Sequence, residues 1–118
     1  MSLNIPQIGN PKPVILDLTT TDPTTIYTST SAQLRGLLNS LSVCNDSGGA
    51  ATFTLTLTDN NGLAVKIYNL KSVPSNDSVI LTDHEIPIPN GWTLAITATS
   101  ANTLHVVAVV IELAVTRG

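Results

Sequence analysis

The sequence predicts an all-β protein: a single antiparallel β-sandwich, jelly-roll or immunoglobulin-like, with about eight strands and an extended N-terminal arm. Three observations carry this. Seventeen Thr, 10 Val and 10 Ile make 37 of the 118 residues β-branched, and such side chains lose rotamer freedom in helices but pack well on a pleated surface. Apolar and polar residues alternate, most cleanly in Thr52–Thr58, where Phe53, Leu55 and Leu57 share one side and Thr52, Thr54, Thr56 and Thr58 the other. Turn residues recur at roughly eight- to twelve-residue intervals. A chain of 118 residues makes one domain, long enough to bury roughly two-thirds of its unfolded surface.

Residues 1–12, with Gly9, Pro6 and Pro11 and no periodicity, read as the arm, and 13–118 as the sandwich. Val14–Leu18 is the first strand. Asp22-Pro23 marks a turn, and Ile26–Thr30 is the second strand, with Ile26, Thr28 and Thr30 on one side and Tyr27 on the other. Residues 31–45 are ambiguous. Leu34, Leu37, Leu38 and Leu41 have helical spacing and Ser31 is a suitable cap. Gly36 in mid-segment and the alternation Leu41, Val43, Asn45 favour a strand from about Arg35 to Cys44; a helix is the alternative. Asp46-Ser47-Gly48-Gly49 turns into the Thr52–Thr58 strand, and Asp59-Asn60-Asn61-Gly62 turns into a hairpin partner over about Leu63–Leu70. Pro74–Asp77 turns into Val79–Leu81. Ile86-Pro87-Ile88-Pro89 is an edge or an extended connection, since its prolines cannot donate ladder hydrogen bonds. Trp92, Leu94, Ile96 and Ala98 share a face of the next strand, and Ser100–Asn102 closes a last hairpin.

The final strand, Thr103–Thr116, is apolar on both sides. One parity holds Val107, Val109, Ile111, Leu113 and Val115; the other holds Leu104, Val106, Ala108 and Val110 before Glu112. A strand with one solvated face should alternate. Of the first set, Val107, Val109, Ile111 and Leu113 are assigned to the intrachain core with Phe53, Leu55, Leu57, Leu94 and Ile96. The second, Leu104, Val106, Ala108 and Val110, is assigned to a subunit interface.

Charge and motif content exclude much else. Net charge is −3 and only five residues are basic, scattered along the chain, so no patch exists for a nucleic acid. No apolar run is long enough to span a bilayer as a helix. A single cysteine, Cys44, excludes an intrachain disulfide and fits synthesis in a reducing cytosol. Asp83-His84-Glu85 is read as a solvated loop rather than a base or ligand, and His105 as a strand-end histidine making one hydrogen bond. Asp59-Asn60-Asn61-Gly62 lacks the downstream glutamate of a calcium loop. Cys44 has no activating histidine or cation near it in sequence. The threonines of Thr52–Thr58 read as a solvated face rather than an ice- or glycan-binding array. No catalytic, cofactor-binding or metal-ligating residue is assigned, and no cofactor; the chain reads as a non-enzyme.

Thr24-Thr25-Ile26-Tyr27-Thr28, then Leu41-Ser42-Val43-Cys44-Asn45, Gly48-Gly49 and Phe53-Thr54-Leu55-Thr56-Leu57, follow one another in an order and spacing that resembles small structural proteins of tailed bacteriophages. The pattern there is a T-x-Y-T strand, a turn, a strand ending in V-C-N, a small-residue turn and an alternating strand. Ile86-Pro87-Ile88-Pro89-Asn90-Gly91-Trp92 matches where that pattern has pipL-x-x-G-D. The resemblance covers roughly residues 24 to 115. Two departures stand out: Ser29-Thr30-Ser31-Ala32 replaces Pro-Ala-Gly after the Tyr-Thr strand, and Trp92 replaces the acidic residue after Gly91. The resemblance implies a strand at Arg35–Cys44. It also implies a non-enzymatic head-decorating, head-spike, neck or tail subunit, made in the bacterial host cytoplasm and assembled into a virion. Its expected partners are itself, as a homo-oligomer, and other virion proteins, with no nucleic acid and no membrane. The alternative is a carbohydrate- or receptor-binding β-sandwich module using a Thr/Asn-rich surface to hold a glycan or host receptor.

Overall fold

Threonine-rich alternation and repeated turns produce the expected architecture. The computed structural model describes residues 10–29, 34–81 and 85–114. Among these, nine strands form two antiparallel sheets: β1 (Asn10–Leu18), β2 (Thr24–Thr28), β3 (Leu34–Asn45), β4 (Ala51–Thr58), β5 (Ala64–Val73), β6 (Asp77–Leu81), β7 (Ile86–Ile88), β8 (Thr93–Ala98) and β9 (Leu104–Ala114). The stretch with competing helical spacing is strand β3 over its described length, as the Gly36 and Leu41–Asn45 arguments favoured. Of the arm, Asn10–Lys12 already belong to β1; positions 1–9 lie outside the described residues.

One sheet runs β1-β9-β3-β6, with β7 also pairing β3, and the other runs β2-β8-β4-β5. β6 pairs Leu41–Asn45 and β7 pairs Gly36–Leu38, so the two short strands share one edge of β3. With β7 set aside as their continuation, every connection crosses between sheets except the β4–β5 hairpin. This is the jelly-roll connectivity, two Greek keys folded into a double sheet. The turn at Ser100–Asn102 is accordingly a corner between sheets and not the hairpin its composition implied. Asn102 takes the left-handed conformation there (φ 61°) and donates its N–H to Leu18 O at 2.9 Å. Turn residues look alike in both settings; only the sheet each strand joins tells them apart.

The core lies between the sheets. β4 and β8 contribute Phe53, Leu55, Leu94 and Ile96, all fully buried, as their alternation foretold. β9 corrects the sequence reading. Leu104, Val106, Ala108 and Val110 are the buried set, each 0% exposed, whereas Val107 is 46% exposed and Val109, Ile111 and Leu113 are half-buried. The residues assigned to a subunit interface therefore belong to the intrachain core, and Val107, Val109, Ile111 and Leu113, assigned to the core, face outward; Val115 lies outside the described residues. The physical reason is the register with β3. Val106 lies opposite Val43 and Ala108 opposite Leu41, while Val107 and Val109 lie opposite Ser42 and Ser40. Directly opposed residues in an antiparallel pair point to the same side. The Leu-Ser-Val alternation of β3 thus decides which face of β9 is dry.

β2 also departs from simple alternation. Its register shifts between Thr25 and Tyr27, and this bulge turns both Ile26 and Tyr27 inward, at 5% and 7% exposed. The Tyr27 ring lies on Gly36, where an added Cβ would stand 2.5 Å from Cε2. Its hydroxyl donates to Glu112 Oε2 at 2.8 Å, and Lys12 Nζ lies 5.7 Å from the ring centroid. Burial first, then the Glu112 hydrogen bond and charge, push the phenol pKa up to about 12. Glu112 thus ends the inward parity of β9 without an unpaired carboxylate.

Candidate assembly surface

With β9 inverted, the apolar face left over is the outside of the first sheet. Three registers align one row across four strands: Ile15 beside Val107, Val107 beside Ser42, and Ser42 beside Ile80. Ile15 is 77% exposed and Ile80 67%. The next rows toward the β9 C-terminus are Pro13–Val109–Ser40 and Pro11–Ile111–Leu37. None of these positions is charged. Such an uncharged, largely apolar face, interrupted by Ser40 and Ser42, is unusual for a solvated sheet.

Charge appears at the two ends. At one end Arg35 lies opposite Leu113, exposed and with no ion pair among the described residues. At the other end His105 bridges two carboxylates: Nδ1 lies 2.6 Å from Asp17 Oδ1 and Nε2 lies 2.8 Å from Asp46 Oδ2. The partners come from 88 and 59 positions away, so β1 and the turn after β3 deliver what local sequence did not, and His105 makes two hydrogen bonds rather than one. Both ring nitrogens donate to carboxylates only as the imidazolium. Correspondingly, the Asp17 hydrogen bond first, then that of Asp46, raises the His105 pKa above 6.5, against a smaller opposing effect of burial.

The remaining sequence candidates fall into structural roles. His84 lies outside the described residues. Cys44 is a half-buried free thiol beside His105 in the register. Asn45 is fully buried and satisfied: Nδ2 donates to Gly49 O (2.8 Å) and Val73 O (3.1 Å), and Oδ1 accepts from Ser47 N–H (2.9 Å) and Oγ–H (2.6 Å). The Val43-Cys44-Asn45 motif therefore builds the β3–β4 corner. Asp59 Oδ1 accepts from the N–H groups of Asn61 and Leu63, each at 2.9 Å, which commits that carboxylate to its turn. On the outer face of the second sheet the threonines bond one another: Thr28 with Thr93 at 3.2 Å and Thr52 with Thr99 at 2.8 Å.

Fold and surface together define a jelly-roll domain whose sheets differ at their centres: threonines line the outside of β4, and valines and isoleucine the outside of β9, while Leu63, Val65 and Leu70 are exposed at the β5 edge. No family model and no curated protein matches the chain. Among solved structures it is similar to a chain of the Bacillus endospore appendages, described as a family of disulfide-linked pili (14% identity, 98% of this chain and 96% of that one, TM-score 0.56). It is also similar to a chain of the virus-like particle of the extra small virus of the prawn Macrobrachium rosenbergii (13% identity, 99% and 85% covered, TM-score 0.53). At these identities the likeness establishes a shared fold.

Proposed function

We propose that this chain is a non-enzymatic structural subunit of a phage or phage-like particle, assembling as a homo-oligomer and docking on capsid, neck or tail proteins. The observation that carries the reading is the uncharged apolar outer face of the β1-β9-β3-β6 sheet. The resemblance to small phage structural proteins supports it. So do the pilus and virus-like-particle chains that share the fold, since both come from repeating assemblies. The glycan-reader alternative draws little support from the aromatic residues, because Phe53 and Tyr27 are buried and Tyr68 and Trp92 are partly packed against the core. The test is the mass of the purified chain by sedimentation across micromolar concentrations. A multiple of 12.4 kDa is expected; a species that stays monomeric to about 1 mM, where only negligible affinities remain, would overturn the homo-oligomer.

A further inference from the structure

Among the described residues, each sheet edge carries features that oppose pairing. β1 carries Pro11 and Pro13. β2 is five residues long with a bulge. β5 carries Lys66 and Lys71, two register shifts against β4, and Leu70 at φ 52°. The fourth edge is split between five-residue β6 and three-residue, Pro87-containing β7. Short, proline-bearing, lysine-bearing and bulged edges are how sheets avoid growing sideways. Such edges disfavour strand addition and leave the sheet faces as the larger surfaces for contact.

The outer apolar face has a middle. Along β9 the outward positions run His105, Val107, Val109, Ile111, Leu113, and the register sets Arg35 beside Leu113, Ser40 beside Val109 and Cys44 beside His105. The two ends differ in sign: Arg35 at one, and at the other Asp17 and Asp46 around a single imidazolium. Stacking a second copy on this face leaves two in-plane two-fold axes to choose between. An axis parallel to the strands would stack like ends, arginine on arginine and carboxylates on carboxylates. An axis across the strands through the Val109–Ser40 row reverses the second copy. It sets Val109 over Val109 and Arg35 over the β3 end of the other copy, next to Asp46. Sheets stacked about 10 Å apart leave a gap an arginine side chain can cross.

We infer that the outer face of the β1-β9-β3-β6 sheet binds a second copy of this chain across a two-fold axis through the Val109–Ser40 row, with Arg35 of each copy paired to Asp46 of the other. The inference rests on the homo-oligomer reading above and gives it a surface and a symmetry. Four strands about 4.8 Å apart and five rows about 6.8 Å apart cover roughly 500 Å² per copy, or roughly 1,000 Å² in the pair. That is the lower end for a specific interface, the size class of weak or transient contacts.

Sedimentation of the full chain and four variants tests this, with circular dichroism to confirm the fold. Arg35→Asp and Asp46→Arg alone should each weaken association about tenfold or more, and the double swap should restore most of it. Val109→Asp should abolish it. A double swap no better than either single change would overturn the two-fold arrangement. Val109→Asp that folds and associates like the parent would overturn this surface and leave the homo-oligomer standing. A parent chain that is itself monomeric would overturn both. Should Val109→Asp unfold, the exposed Arg35 and Asp46 pair still decides.

Discussion

The central strands of the two sheets present different chemistry on their outer sides. On the β2-β8-β4-β5 sheet the outward positions of β4 are Thr52, Thr54, Thr56 and Thr58; Thr54 and Thr58 lie opposite Thr97 and Thr93 of β8, and Thr56 opposite Ala95. On the β1-β9-β3-β6 sheet the outward run of β9 is Val107, Val109 and Ile111, flanked by Ile15 and Ile80. Threonine and valine are both β-branched and suit a strand equally in shape. What differs is a hydroxyl. The threonine face meets its own hydrogen bonds and water and asks for no cover. The valine face, equally good as strand, leaves apolar area wet. Strand formation and surface purpose are therefore separate questions, and only the second distinguishes the two faces.

The largest effect should come from placing one charge on either side of β9. Val106 is 0% exposed and Val107 46%, though they are adjacent in sequence. Val106→Asp buries a carboxylate with no partner, a penalty of several kcal/mol against a total stability of roughly 5–15 kcal/mol, so the chain should unfold. Val107→Asp should keep the native far-ultraviolet spectrum and a urea midpoint close to the parent's. If Val107→Asp also unfolds, the outward row is buried after all and the contrast between the faces disappears.

That adjacency also shows what the sequence could and could not disclose. Fold class, the jelly-roll option, most strands and the inward faces of β4 and β8 were legible, because those strands alternate. β9 was not, because it carries no alternation to read. Each of its parities has one polar residue, His105 in one and Glu112 in the other, so even the exceptions were balanced. The information lay in Ser40 and Ser42 of β3, and reaching it required knowing that β3 pairs with β9. The charged ends were hidden for the same reason: Asp17, Asp46 and His105 converge only through the topology. Ile26 and Tyr27 facing inward together could not be foreseen either, since a bulge leaves no mark in the pattern of polarity.

A second, smaller effect tests the inward parity at its polar end. Adding a methyl at Gly36 pushes into the Tyr27 ring, and the ring is held by Gly36 on one side and Glu112 at its hydroxyl. Gly36→Ala should cost about 1–3 kcal/mol in denaturant unfolding, the usual range for overpacking. Tyr27→Phe removes the hydroxyl and should cost about 1–2 kcal/mol, since the lost bond is to a charged acceptor. Neutral behaviour in both variants would mean that Glu112 does not belong to the inward side.

A pH-dependent term comes next. His105 has a folded pKa raised above its ordinary value of 6.5. Its contribution to stability is therefore complete below about 6.5 and declines as pH rises through the raised folded value. The stability difference between the parent and His105→Gln should shrink across that window. The effect is modest because the site is largely exposed and screened by water. A difference that is flat, or that grows with pH, would show that the imidazolium is not what joins Asp17 and Asp46.

The smallest effect on the monomer, and the sharpest on the comparison, comes from exchanging the hydroxyl itself. Val107→Thr with Val109→Thr gives the apolar face the chemistry of the threonine face at almost unchanged shape. Neither residue is in the core, so the folded monomer should keep its stability to within about 0.5 kcal/mol per site, with the strand preference preserved. The surface property should nonetheless move. Binding of an apolar dye to the parent should fall in the variant, and light scattering at high concentration should fall with it. The reverse change, Thr56→Val with Thr97→Val on the opposite sheet, should leave unfolding equally untouched and raise both signals. If the valine-to-threonine exchange instead costs 2 kcal/mol or more, the two residues are packed rather than wet, as a core Val→Thr change would be. In that case the two outer faces would differ in burial, and the hydroxyl would be a consequence of that difference rather than its cause.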